Sequence, residues 1–121
     1  MGQRILIVDD EPNIVISLEF LMKKEGFEVA VATDGDAALQ KAAEFMPDLI
    51  LLDVMMPKKS GFEVCQALRA DPALAAIKVV MLTAKGRETE VAKGIALGAD
   101  AYITKPFSTK DLVARIKSLL A

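Results

Sequence analysis

The amino-acid sequence predicts an α/β fold: a doubly wound, five-stranded parallel sheet with helices on both faces. Three observations carry that expectation. Short apolar stretches of strand length recur along the chain with helix-length segments between them. Three of them, residues 4–8 (RILIV), 49–52 (LILL) and 79–82 (VVML), are apolar almost throughout instead of alternating, as strands covered on both faces are. The intervening segments carry helix start and stop signals, and right-handed crossovers between parallel strands distribute such helices over both faces of the sheet.

The elements follow in order. The first strand, residues 4–8, runs into Asp9, Asp10 and Glu11. Pro12 stands where a helix tolerates proline, at its first position, and Lys23, Lys24 and then Gly26 mark that helix's end. The second strand covers residues 28–32, and Thr33 or Asp34 can cap the helix after it. The third strand, residues 49–52, ends at Asp53; Ser60 and Glu63 have the spacing of a capping box for the third helix. The fourth strand, residues 79–82, ends at Thr83.

A fourth helix over residues 87–97 is the least well specified, because Thr89, Val91 and Gly94 lower helix propensity at its centre. Such a helix can shift cheaply between positions, unless Gly94 serves only close packing. The fifth strand, residues 101–103, ends at Thr104, Lys105 and Pro106. Ser108 and Asp111 then open a last helix, on which Leu112, Val113, Ile116, Leu119 and Leu120 form one apolar stripe. The stripe runs to the final residue, so a single unit over residues 1–121 is expected.

Composition agrees with this layout. The 121 residues are 53% hydrophobic and 26% charged, enough apolar side chain for the core of one domain and too short a chain for two ordinary ones. The net charge of -2 supplies no long-range attraction to a phosphate backbone, so no direct nucleic-acid contact is expected. Cys65 has no second cysteine to pair with, the opening MGQR has no signal-peptide layout, and no apolar run approaches the roughly 20 residues of a membrane crossing. A cytoplasmic location without membrane contact is expected.

In sheets of this kind, ligands gather beyond the carboxyl ends of the strands, near the point where strand order reverses. If the order is 2-1-3-4-5, the first and third strands are neighbours, and Asp9, Asp10 and Asp53 share one crevice. Carboxylates packed that closely repel, and so bind a proton or a hard divalent cation such as Mg²⁺. Asp10 and Asp53 are then direct ligands and Asp9 a direct or water-mediated one, with the backbone carbonyl of Met55 completing the protein's share.

Lys105 adds a positive charge opposite the acids. With the metal it can neutralise the oxygens of a phosphoryl group arriving at Asp53, whose carboxylate attacks phosphorus to give an acyl phosphate. Thr83 can donate its hydroxyl to a phosphoryl oxygen, and the small Ala84 leaves the line of approach open. Taken singly, these residues have plainer uses: each aspartate and Thr83 as a helix cap, Lys105 as a solvated surface lysine. Surface polarity has no reason to select one rim of the sheet, so their joint occurrence favours the site.

The segments ILIVDDEPNI (5–14), PDLILLDVMMPKKSGFEV (47–64), VVMLTAK (79–85) and GADAYITKPF (98–107) together closely resemble the receiver (CheY-like) domain of bacterial two-component response regulators. The resemblance implies a flavodoxin-like fold with strand order 2-1-3-4-5. It also implies Asp53 as phospho-acceptor, Asp9 and Asp10 as holders of Mg²⁺, Thr83 as the switch hydroxyl and Lys105 as the phosphate-contacting lysine. Tyr102 falls where the family keeps an aromatic residue that turns inward on activation. Pro57 and Gly61 match the loop after the acceptor strand, and the Lys105–Pro106 bond is expected to be cis. Lys58 and Lys59 stand where many relatives carry acidic or small residues, a difference that bears on partner preference.

Function and partners follow from the same resemblance. The chain is expected to act mainly as a signalling switch, assisting its own phosphotransfer and dephosphorylation. The donor is a sensor histidine kinase or phosphotransfer protein. With no histidine in its sequence, this chain is the aspartyl side of the relay. The recipient of the signal is a downstream protein or output domain, reached through the fourth helix, fifth strand and last helix, with a phosphorylation-dependent homodimer as a further option. The first helix carries more apolar residues than one face needs, and Ile14 and Ile16 are candidates for docking a kinase helix.

Three other readings fit the residues less well. A haloacid-dehalogenase-type hydrolase usually has a second aspartate two residues after the nucleophile, where this chain has Met55. A flavin carrier needs a hydroxyl- and glycine-rich first loop in place of DDEPN. A receiver that only binds a partner has no need of the intact acidic set, Thr83 and Lys105.

Overall fold

Alternation along the strands, more than any single residue, builds this molecule. The computed structural model describes residues 3–56, 59–84, 92–93 and 95–121. Its strands are β1 (Arg4–Val8), β2 (Glu28–Ala32), β3 (Leu49–Asp53), β4 (Lys78–Ala84) and β5 (Ala101–Lys105). They form one parallel sheet in the order β2-β1-β3-β4-β5, as the family resemblance implied.

Successive strand residues face opposite sides, and this splits the apolar runs into two cores. Ile5, Ile7, Leu49, Leu51, Val80 and Leu82 pack on one face with Leu18, Met22, Leu112 and Ile116. Leu6, Val8, Ile50, Leu52, Val79 and Met81 pack on the other with Ala38, Ala42, Val64, Cys65 and Leu68. Each fully buried Leu, Ile or Val stabilises the fold by about 1.5–3 kcal/mol through the apolar surface it removes from water. The central β3 is buried at every position, whereas the edge strands β2 and β5 are only partly covered.

Helices α1 (Pro12–Lys24), α2 (Gly35–Phe45), α3 (Gly61–Ala70) and a C-terminal helix (Thr109–Leu120) supply those partners. Helix α1 starts at Pro12, as expected, and its N-cap Glu11 makes no side-chain capping bond. Of the two candidate caps for α2, Asp34 is the one used: its Oδ1 accepts from the Ala37 N–H at 2.8 Å. The Ser60–Glu63 capping box is complete, with both bonds at 3.3 Å. At the last helix, Ser108 Oγ accepts from the Asp111 N–H at 3.3 Å. Most of the helix expected over residues 87–97 lies outside the described residues; within it, Ala92, Lys93, Ile95 and Ala96 are helical.

One expectation is corrected. The apolar runs put Asp53, Thr83, Thr104 and Lys105 just past their strands, yet all belong to them. The ladder continues through Asp53↔Leu82, Thr83↔Thr104 and Ala84↔Lys105. Polar residues end an apolar run in the sequence but do not end backbone pairing, which uses no side chain.

Candidate functional site

The same alternation delivers the polar residues to one rim. Asp9 extends the series Ile5–Ile7, Asp53 extends Leu49–Leu51, and Lys105 extends Ala101–Ile103, all residues of one face. Because β1, β3, β4 and β5 are parallel, these series end on the same side of the sheet. Their charged ends meet there: Lys105 Nζ donates to Asp9 Oδ2 at 2.9 Å and lies 3.5 Å from Asp53 Oδ1.

Burial sharpens the electrostatics. Asp9 is fully buried, Asp53 is 6% exposed and Asp10 faces solvent. Asp9 Oδ1 accepts from the Glu11 N–H at 3.0 Å, and Asp53 Oδ1 from the Met55 N–H at 3.3 Å. One carboxylate oxygen from each of Asp9, Asp10 and Asp53 lies within 4.8 Å of the others. Burial first, and then the Asp9 charge, push the Asp53 pKa from the usual 3.8 up to about 6, against the opposing pull of Lys105 and the Met55 N–H. Burial by itself would lower the Lys105 pKa, but the hydrogen bond to Asp9 and the charges of Asp53 and Asp9 outweigh it and raise it, keeping the ammonium charged.

This is a pocket with more negative charge than it has partners for. A divalent cation is the chemical complement of such a donor set: hard oxygen ligands, two of them buried, with an exposed third open to water. Asp9, Asp10 and Asp53 fit that requirement by their spacing.

Thr83 lies in the alternate series, after Val79 and Met81, and is 2% exposed. Its Oγ1 is buried with no hydrogen-bond partner among the described residues. Leaving a hydroxyl unpaired in this way costs about 1–3 kcal/mol. Thr83→Val, nearly the same shape without the hydroxyl, is therefore expected to raise the unfolding free energy of the resting protein by about 1 kcal/mol. Urea denaturation checks it, and a variant weaker than its parent would show that the hydroxyl already has a partner.

The remaining expected residues are placed as follows. Met55 presents its N–H to Asp53, and its side chain is exposed. Gly61 opens α3 directly against β3, where a Cβ would come 2.5 Å from the Asp53 carbonyl oxygen, so no larger residue fits. Tyr102 is 42% exposed and pairs in register with Met81. The Lys105–Pro106 bond is cis. Lys59 Nζ sits 3.9 Å from Asp36 Oδ1. Pro57 and Lys58 lie outside the described residues.

Two contributors carry little or no signal in the sequence. The Glu11 N–H holds Asp9, a backbone role with no sequence signal. Phe107, visible in the sequence only as an aromatic after Pro106, lines a groove of about 390 Å³ beside the acids with Ile14, Ser17, Lys105 and Pro106.

Comparisons with known proteins agree with this geometry. The profile of the response regulator receiver domain matches residues 5–117. The chain is 47% identical over 120 residues to the alkaline phosphatase synthesis transcriptional regulatory protein PhoP of Bacillus subtilis, covering 99% of this chain and 49% of that protein. It is also 47% identical over 120 residues to the DNA-binding response regulator MtrA of Mycolicibacterium smegmatis, covering 99% of this chain and 51% of that protein. The chain thus spans about half the length of the curated relatives it matches. Among solved structures, the chemotaxis response regulator CheY4 of Vibrio cholerae superposes with a TM-score of 0.92 at 31% identity, over 98% of this chain and 99% of that one.

Proposed function

This chain belongs to the response regulator receiver domain family, and from that premise we propose that Asp53 takes a phosphoryl group from a phosphohistidine on a sensor histidine kinase or phosphotransfer protein. The observation that carries this reading is the buried pair Asp9 and Asp53 with the Lys105 ammonium against both.

An Asp53 carboxylate oxygen attacks phosphorus, the phosphorus–nitrogen bond to the donor imidazole breaks, and an acyl phosphate forms. Lys105, kept protonated by the acids around it, neutralises charge gathering on the phosphoryl oxygens. Asp9, Asp10 and Asp53, with the Met55 carbonyl, would hold a Mg²⁺ ion, which would supply further charge neutralisation. The Thr83 hydroxyl, unpaired among the described residues, then has an acceptor in a phosphoryl oxygen. That new bond is absent from the resting form, so it can shift a balance between two packings. Thr83→Val is expected to take the label and to transmit less of the change to Tyr102.

The intact mass of the 121-residue chain after incubation with Mg²⁺ and acetyl phosphate tests the reading. One phosphoryl adduct per chain is expected, and a chain that stays unmodified overturns the proposal.

For the donor, the groove beside Lys105 and the outer side of α1 offer a docking surface. Ile14 is half-buried at the groove, while Ile16 and Phe20 are 64% and 71% exposed. Replacing the exposed Ile16 by Ser removes no core contact and is expected to slow transfer from the kinase about tenfold, the equivalent of ~1.4 kcal/mol of docking energy. Transfer from acetyl phosphate should not change; equal losses with both donors would refute docking. The signal leaves toward a downstream protein or output domain through the surface around β5 and the C-terminal helix, with a phosphorylation-dependent homodimer as one form of output. We place this exchange in the cytoplasm. Among the described residues, no helix is long and apolar enough to cross a membrane.

A further inference from the structure

Arg69, near the end of α3, has its guanidinium fully occupied. Nε donates to the Gly98 carbonyl at 2.9 Å, and Nη2 donates to the same carbonyl at 2.7 Å and to Asp100 Oδ2 at 2.9 Å. Nη1 donates to the Ala75 and Ile77 carbonyls at 3.0 and 2.7 Å. A guanidinium offers five N–H groups in a fixed planar fork, and every one has an acceptor here.

Asp100 is held as firmly: its Oδ2 also accepts from the Val79 N–H, and its own N–H donates to the Val79 carbonyl, both at 2.8 Å. Gly98 has φ +104, and a Cβ on it would come within 3.0 Å of Arg69 Cγ and Nε. One cation therefore joins the end of α3, the start of β4 and the turn entering β5. Cys65 Sγ, 3.6 Å from the Leu97 carbonyl, adds a weaker tie from α3 to the same turn.

These bonds lie at the starts of β4 and β5, at the opposite end of the sheet from Asp53, Thr83 and Lys105. The connection between β4 and β5 therefore leaves from beside Thr83 at the site and arrives at Gly98 in the clamp. A new bond at Thr83 pulls on the first end only. We propose that Arg69 is the fixed pivot of the switch, holding Gly98 and Asp100 in place so that displacement at Thr83 becomes rotation about that point and is delivered to β5 at Tyr102. The inference rests on the reading of Asp53 as phospho-acceptor. Lysine, with three donors on a point charge, cannot reproduce the fork, so Arg69→Lys keeps the charge and loosens the pivot.

The chain has one tyrosine and no tryptophan, so its intrinsic fluorescence reports Tyr102 alone. With Mg²⁺ and excess acetyl phosphate, and the adduct verified by intact mass, amide exchange is compared between the two forms. The Leu97, Gly98 and Asp100 amides are expected to agree within about twofold, while exchange around Thr83 changes about tenfold or more. Arg69→Lys should accept the label as its parent does, with the phosphorylation-dependent Tyr102 signal reduced to about half or less. Ile116→Val, which loosens the opposite core without touching the clamp, should keep the full signal.

Clamp amides that change as much as those around Thr83, or a full Tyr102 signal in labelled Arg69→Lys, overturn the pivot alone. An unlabelled parent overturns the reading of function and the pivot with it. If Arg69→Lys does not fold, the exchange comparison in the parent decides.

Discussion

Asp53→Asn is expected to abolish the phosphoryl adduct entirely while making the metal-free protein more stable at neutral pH by ~3 kcal/mol. Both effects have one cause. The Asp53 carboxylate, the proposed nucleophile, is buried beside Asp9, and its pKa is raised from 3.8 to about 6. Each unit of such a shift corresponds to about 1.4 kcal/mol of preference for the protonated form.

The sign follows from linkage. Above about pH 6, folded and unfolded chains both carry an ionised Asp53, and the folded state bears the full penalty. Between about 6 and 3.8 the folded state takes up the proton first and the penalty shrinks; below 3.8 both states are neutral and it is gone. Asparagine keeps the shape and removes the charge, so its advantage should be full near pH 8 and absent near pH 3. Urea unfolding of parent and variant across that range checks it, and an advantage that does not vary with pH would mean that Asp53 is not under electrostatic strain. Mg²⁺ should stabilise the parent more than the variant, because the variant offers one carboxylate fewer.

Lys105→Met should act in the opposite direction on stability. Lys105 is a side-chain donor to Asp9, a carboxylate with no solvent exposure, and its loss leaves that charge, among the described residues, with only the Glu11 N–H. Breaking a buried pair from one side costs about 3–5 kcal/mol, and the lower end applies here because the lysine side chain retains some exposure. Asp53 loses its nearest opposing charge as well, so its pKa should climb further. Transfer from acetyl phosphate should fall about a hundredfold, the usual effect of deleting one preorganised group that stabilises developing charge. Mg²⁺ should restore part of the stability and little of the rate. A Lys105→Met protein phosphorylated at the parent's rate would remove the ammonium from the mechanism.

Much of this was legible in the residues. β1, β3 and β4 announce themselves because a strand covered on both faces has no use for polar side chains. The caps of α2, α3 and the C-terminal helix were legible because a cap is a contact across three residues, short enough to be written in the sequence. Asp9, Asp53 and Lys105 could be grouped because all three come at the ends of candidate strands and parallel strands end on one rim.

Other features were not legible. In α1, Ile14 turns partly inward while Ile16 and Phe20 stand in solvent, a rotation set by how the helix seats on the sheet. Thr83 reads equally as a cap and as a phosphate contact in the sequence, and its burial without a partner among the described residues favours the second. Arg69 reads as an ordinary surface arginine on a short helix, because the acceptors that hold it are mainly backbone carbonyls, which every residue carries.

The order of elements, the composition of the two cores and the residue types gathered at the acidic rim were settled at the level of the residues, since these depend on periodicity and on contacts within a few residues. Tertiary structure alone decided which charges meet. Lys105 and Asp9 are 96 positions apart and Arg69 and Gly98 are 29 apart, and strand register and helix docking bring them together. Coulombic and hydrogen-bond energies depend on distances of a few ångströms and on exclusion of water, quantities that exist only after the chain has folded.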